Sequence, residues 1–222
     1  LNYLSHYFID HIPDNHCHNT GLILPDICKK WIKNFHQPPL PHPIPDAISQ
    51  LHQGTVKHYL ADKKFHASNF FNSHVSVFTQ AVNQAGLSER VQRKWFIAHI
   101  AFELMLDRML VNYYPEKVDA FYQSLLLVEE QVLKEYLLHF GMPDIEDFFQ
   151  FYSHFTAVQY IYYYPNNNKF IYSLNRIMMR AGLEAMDETD GNKLLATLLQ
   201  LENDYFADAE KQVYKLRQIF TE

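Results

Sequence analysis

The chain has 222 residues, 48% hydrophobic and 20% charged, which is the balance of one large folded domain or two small ones and excludes disordered or collagen-like classes. It lacks an uncharged apolar run of membrane-spanning length, and the start Leu1-Asn2-Tyr3-Leu4-Ser5-His6 has neither the basic nor the apolar region of a secretory leader, so a cytoplasmic protein without a membrane anchor is expected. The formal charge is −6 with no basic run longer than two residues, which argues against nucleic acid as a partner, and two cysteines, Cys17 and Cys28, are too few for a disulfide framework or a four-thiolate zinc site.

Apolar residues recur at three- and four-residue spacing nearly throughout, so the expected fold is all-α. Helices are expected at 2–11 and 21–35. The segment from Gln37 to Pro45 has five prolines in nine residues and must be a loop or extended connector. Helices follow at 45–64, with Pro45 suited to its first turn, and at 69–85, closed by Gly86. Ser88 is placed to cap a helix over 88–113, which Tyr114-Pro115 breaks. Further helices are expected at 115–140, 144–164, 168–185 and 192–220, with Gly141-Met142-Pro143 as a stop and Asp144 as an N-cap. The aromatic stripe Phe148, Phe149, Phe151, Tyr152, Phe155, Tyr160, Tyr162, Tyr163 and Tyr164 reads as core packing. There is no internal repeat, and a single helical domain over 1–222 is expected.

Charge and histidine are unevenly spread. Residues 1–100 carry a balance of +3 and residues 101–222 one of −9, while 11 of the 13 histidines lie in the first hundred. Six glycines form neither a dinucleotide fingerprint nor a phosphate-binding loop, and no nucleophile elbow occurs. The informative pattern is instead a recurring pair at i and i+4, a spacing that puts both side chains on one helix face and lets both reach one ion. His6 and Asp10 form one such pair. His58 and Asp62 form another, continued by His66. His99, Glu103 and Asp107 form a third. Asp26, behind Pro25, is a further candidate, because an irregular backbone often aims a side chain inward.

Glu103 and Asp107 stand among Phe102, Leu104, Met105, Leu106, Met109 and Leu110. Two carboxylates on so apolar a helix require a cation, or basic partners such as Arg108, Lys57 or Lys63. Imidazole with carboxylate suits Mn²⁺, Fe²⁺ or Zn²⁺, and such an ion lowers the pKa of bound water and neutralises charge developing on a phosphate. An oxygen-activating di-metal bundle is the least favoured reading, since that class uses Glu-x-x-His pairs and the chain has none.

Four segments resemble the acyl carrier protein phosphodiesterases, distant relatives of the HD-domain phosphohydrolases. They are Asn2-Tyr3-Leu4-Ser5-His6; Thr20-Gly21-Leu22-Ile23-Leu24-Pro25-Asp26-Ile27; Gly54-Thr55-Val56-Lys57-His58-Tyr59-Leu60-Ala61-Asp62 with Phe65-His66; and Glu103-Leu104-Met105-Leu106-Asp107-Arg108-Met109-Leu110. Order and approximate spacing agree over residues 1–125. The resemblance implies an HD-like helical bundle that hydrolyses the phosphodiester joining 4′-phosphopantetheine to a serine of acyl carrier protein, with a divalent metal, typically Mn²⁺. It implies His58, Asp62, Asp107 and His66 as metal ligands, Asp26, His6 and Glu103 as catalytic or ligand-supporting groups, and Lys57 or Lys63 as phosphate contacts. The sequence departs from the family at Pro25, Tyr59, His66 and Glu103. An acidic carrier protein calls for a basic face, which Lys29, Lys30, Lys33, Lys57, Lys63 and Lys64 would supply. The other expectation is a non-catalytic helical binding protein on the same fold.

Overall fold

The computed structural model describes every residue except 34, 36, 37, 41, 42 and 222. Among the described residues there are twelve α-helices and no strand, so the fold is all-α. In chain order they are α1 (Tyr3–Asp10), α2 (His16–Gly21), α3 (Leu24–Cys28), α4 (Asp46–Ala67), α5 (Asn69–Gln84), α6 (Lys94–Tyr113), α7 (Pro115–Leu127), α8 (Glu130–His139), α9 (Ile145–Val158), α10 (Asn167–Arg180), α11 (Glu188–Tyr205) and α12 (Ala209–Thr221), with a 3-10 turn over Tyr160–Tyr163. None is long and apolar enough to cross a membrane.

The helices expected at 2–11, 45–64, 69–85 and 168–185 are present to within a few residues as α1, α4, α5 and α10. Asp144 caps α9 by accepting from Asp147 N at 2.9 Å, and Gly86 and Gly141 have the positive φ of helix stops. In the proline-rich connector, positions 37, 41 and 42 lie outside the described residues, and the rest carries no regular element.

The other five expected helices are divided, delayed or cut short. The stretch 21–35 holds only the end of α2 and the short α3, with Pro25 near the α3 N-terminus, where its missing N–H has no helical partner to lose. The helix expected from 88 begins at Lys94. Ser88 does not cap it but donates from its N and Oγ to Asp190 at 2.9 and 2.5 Å, and Arg93 enters the helix at φ +49. The stretch 115–140 divides into α7 and α8 at Val128–Glu129, and 192–220 divides into α11 and α12 beyond Phe206, where Asp208 accepts from Lys211 N. The stretch 144–164 ends as a helix at Val158, where Gln159 turns left-handed at φ +50.

The helices group into two compact units. Unit 1 comprises Leu1–Lys63 and Pro115–Tyr160. In it α1 and α2 lie on α7, α2 meets α3, and α9 packs on α7 and α8. Its core is aromatic: Tyr7 meets Phe121 edge-on at 5.6 Å, Tyr3 meets Phe155 at 5.5 Å, and Phe148 stacks on Tyr152 at 5.5 Å. Phe148, Tyr152 and Phe155 of the expected aromatic stripe are therefore core residues. Cys28, at the end of α3, is fully buried.

Two glycines set the approach of α2 to α4. A Cβ on Gly21 would run into the Leu51 carbonyl and stand 3.0 Å from Gly54 Cα, while one on Gly54 would run into the His18 carbonyl. Backbone therefore lies against backbone at this point. Asn19 accepts from Ile12 N at 2.8 Å and donates to Ile12 O at 2.9 Å, which fixes the turn joining α1 to α2. Thr20 donates to Ser124 O on α7 at 3.3 Å.

Unit 2 comprises Lys64–Tyr114 and Ile161–Glu222. Here α5 and α6 pair, α10 and α12 flank α6, and α11 and α12 flank α5. Phe102 of α6 sits at the centre, ringed by Phe65, Phe71, Phe78 and Phe206 at centroid distances of 6.2, 6.1, 5.4 and 6.2 Å. The apolar reading of this helix is correct, since thirteen of its residues are buried. Arg108 does not turn to Glu103 or Asp107. Its Nε donates to Glu202 at 2.8 Å and its Nη1 to Tyr164 O at 3.1 Å.

Candidate metal centres

Unit 1 gathers four of the expected site residues. α1 contributes His6, α3 contributes Asp26, and α4 contributes His58 and Asp62 one turn apart. Ligand atoms of His6, Asp26 and His58 all lie within 4.8 Å of one another. His58 Nε2 stands 4.0 Å from Asp26 Oδ1 and 3.8 Å from Asp62 Oδ2, and His6 Nε2 stands 3.2 Å from Asp62 Oδ1. Ligand atoms held about 2.1 Å from one ion are roughly 3.0–3.5 Å apart, so small side-chain adjustments would bring this set onto a shared cation.

The protonation state of His58 follows from its partner. Nδ1 lies 2.8 Å from the Leu22 carbonyl, which only accepts, so Nδ1 carries the hydrogen and Nε2 presents its lone pair to the acids. That carbonyl is available because α2 ends at Gly21. The two glycines that bring α2 against α4 thus also place the group that orients this ring. Burial, and then the neighbouring His6, push the imidazole of His58 down to about 4, so it is neutral near pH 7.

The rings of His6 and His58 stack at 3.8 Å and 21°. Both side chains are almost wholly buried, and the His6 ring nitrogens make no well-aligned hydrogen bond among the described residues, the approach to Asp62 being off-line. Burial opposes ionisation of Asp26, but His58, Lys29 and His6 outweigh it and hold the carboxyl below its usual range. Asp62 is likewise lowered against its own burial, by the close approach of His6 and by His58. The cluster therefore has ionised carboxylates and a neutral His58, the forms that bind metal. Its side chains run from His6, 1% exposed, to Asp62, 29% exposed, so Asp62 marks the open side.

A lysine also pairs with this cluster: Lys29 Nζ is 2.6 Å from Asp26 Oδ1 while the side chain is 76% exposed. Lys57 and Lys63, the expected phosphate contacts, are exposed on α4. The Lys29 pairing was accessible in principle, because Asp26 and Lys29 are three apart on one short helix.

Unit 2 holds the remaining candidates. Glu103 Oε1 accepts from His66 Nε2 and from His99 Nε2, each at 3.0 Å. Ligand atoms of these three residues again lie within 4.8 Å of one another. Burial works against the charge of Glu103, and the two imidazoles work for it, and its carboxyl titrates well below the ordinary range. Asp107, one turn beyond Glu103 on α6, is fully buried. The expected residues thus divide: His6, Asp26, His58 and Asp62 meet in unit 1, while His66 and Glu103 meet in unit 2 with His99, which the face argument had picked out without giving it a role.

Comparisons with protein-family models, with curated proteins and with solved structures return no match to this chain.

Proposed function

We propose that this protein is a metal-dependent phosphodiester hydrolase whose centre is the His6, Asp26, His58 and Asp62 cluster. The observation that carries the reading is His58: its hydrogen bond to the Leu22 carbonyl leaves Nε2 facing two ionised carboxylates in a buried setting. A divalent cation there would supply Lewis-acid activation of water and neutralise charge on the phosphate. The chain's own part is to hold His58 in one tautomer, keep Asp26 and Asp62 ionised, and shield the ligands on all sides but that of Asp62. Lys29, held by Asp26 yet mostly exposed, would receive a phosphate oxygen.

The resemblance noted in the sequence points to holo-acyl carrier protein as substrate and Mn²⁺ as metal. Lys29, Lys30 and Lys33, exposed beside the cluster in sequence, are the basic groups available to an acidic carrier.

The test is elemental analysis and calorimetric titration of chelator-treated protein with Mn²⁺, followed by assay on a chromogenic phosphodiester and on holo-acyl carrier protein. We expect binding and hydrolysis, and a loss of at least about 100-fold in kcat/KM for His58→Ala and for Asp62→Ala, with helicity retained. Protein that neither binds Mn²⁺, Fe²⁺ or Zn²⁺ nor cleaves either substrate would instead be a non-catalytic helical binding protein.

A further inference from the structure

The His66, His99 and Glu103 cluster of unit 2 is separate from the residues given the hydrolytic role above. His99 and Glu103 are one turn apart on α6, so their side chains leave the helix on one face, and His66 comes from the last turn of α4. Both ring Nε2 atoms converge on one carboxylate oxygen at 3.0 Å, which is the separation expected between ligand atoms sharing a small divalent ion.

A second observation concerns what holds the rings. Buried Phe71 presents itself to both imidazoles, at 4.7 Å and 89° to His66 and at 4.9 Å and 73° to His99. Phe65 stands at 68° to His66 from a further side. The orientation of the donors is thus set by apolar packing as well as by their bonds to Glu103, which is the preorganisation a metal site requires. One side stays open: His66 is 36% and His99 29% exposed, whereas Glu103 is 13% exposed.

From this arrangement we infer that His66, His99 and Glu103 form a second metal site, which takes a divalent transition ion of the zinc type with two imidazoles, one carboxylate and water. Three protein ligands with an open side are the pattern of an exchangeable site rather than of a closed structural one. On binding, the hydrogen of each neutral ring moves from Nε2 to Nδ1, so the two hydrogen bonds to Glu103 are exchanged for metal bonds with no net loss of ring protons. Zn²⁺ fits the donor set, and Co²⁺ serves as its coloured probe.

The experiment uses the undivided 222-residue chain, chelator-treated and carrying His58→Ala and Asp62→Asn, which disables the unit 1 cluster. Titration with Zn²⁺ should give one site, and Co²⁺ should give a visible band that Zn²⁺ removes. Adding His99→Ala or Glu103→Gln should weaken Zn²⁺ binding by at least about 100-fold, with the visible Co²⁺ band lost in parallel. A protein of native helicity that binds no Zn²⁺ in the first background, or whose binding survives both further substitutions, overturns the inference. Should those variants fail to fold, proton NMR of Co²⁺-loaded wild-type protein gives a separate answer. Hyperfine-shifted ring signals assigned to His66 and His99 support the site, and their absence refutes it. Loss of phosphodiesterase activity in the starting background bears only on the unit 1 centre, so the two readings fail independently.

Discussion

Two imidazoles stacked at 3.8 Å cannot both carry a proton cheaply, and burial together with the neighbouring ring keeps His58 neutral. Its folded-state value of about 4 lies below the ordinary 6.5, so between those values the unfolded chain binds the extra proton. The stability this group contributes is therefore present in full above pH 6.5 and is lost as pH falls towards 4, a change on the order of 3 kcal/mol. Urea unfolding of metal-free protein across that range should show the loss, and His58→Gln should flatten it. Asp26 and Asp62, whose values are depressed, add a further loss at more acid pH, as each is protonated. The i, i+4 spacing in the sequence was enough to select His58 with Asp62. It could not say which unit each pair would enter, because helical periodicity gives the face of a residue and not the neighbour that face meets. Nor could it show that Arg108 would be taken by Glu202, 94 residues away.

Glycine inside a helix normally weakens it, and replacement by alanine normally helps by up to about 1 kcal/mol. At Gly54 of α4 the sign reverses, because the added methyl has the His18 carbonyl in its way. Gly54→Ala is expected to destabilise by about 1–3 kcal/mol. It should also disturb the Leu22 to His58 bond, so that thermal melting and metal affinity fall together. Gly141 gives the contrasting case: it has open space around it but a φ of +77, so Gly141→Ala should lower the melting temperature without touching the metal site. At this scale the sequence announced the stops made by proline and glycine. It did not announce those at Val128–Glu129, at Arg93 or beyond Phe206, where tertiary bonds such as Ser88 to Asp190 end or delay a helix that local preference would continue.

The chain passes between its two units three times, so each is assembled from segments distant in sequence. Residues 1–114 and 115–222 therefore each contain only part of either core. Expressed separately, the two fragments should show weak helicity and no cooperative melting, and mixing them should restore circular dichroism towards that of the intact chain. The same interleaving changes the meaning of charge. The sequence halves differ as +3 and −9, yet unit 1 holds 7 Lys and Arg against 13 Asp and Glu, while unit 2 holds 12 of each. The basic first half does not survive folding as a basic body. Any attraction of an acidic partner to unit 1 must come from a local group of lysines, and raising salt from 50 to 300 mM should therefore raise KM for a carrier protein only a few-fold. The all-α class was legible from periodicity, whereas the two-unit division was not, because nothing in composition marks the crossings other than Pro115.

Cys28 ends α3 only two residues after Asp26, and burial pushes its thiol well above the ordinary range, whereas Cys17 is partly accessible. A maleimide should accordingly label the native protein once, at Cys17. The second, slow labelling event then serves as a clock for transient opening around Asp26, timed by mass spectrometry without denaturant. If the unit 1 centre is loaded by a cation, that clock should run slower, which gives a way to follow occupancy that needs neither colour nor turnover.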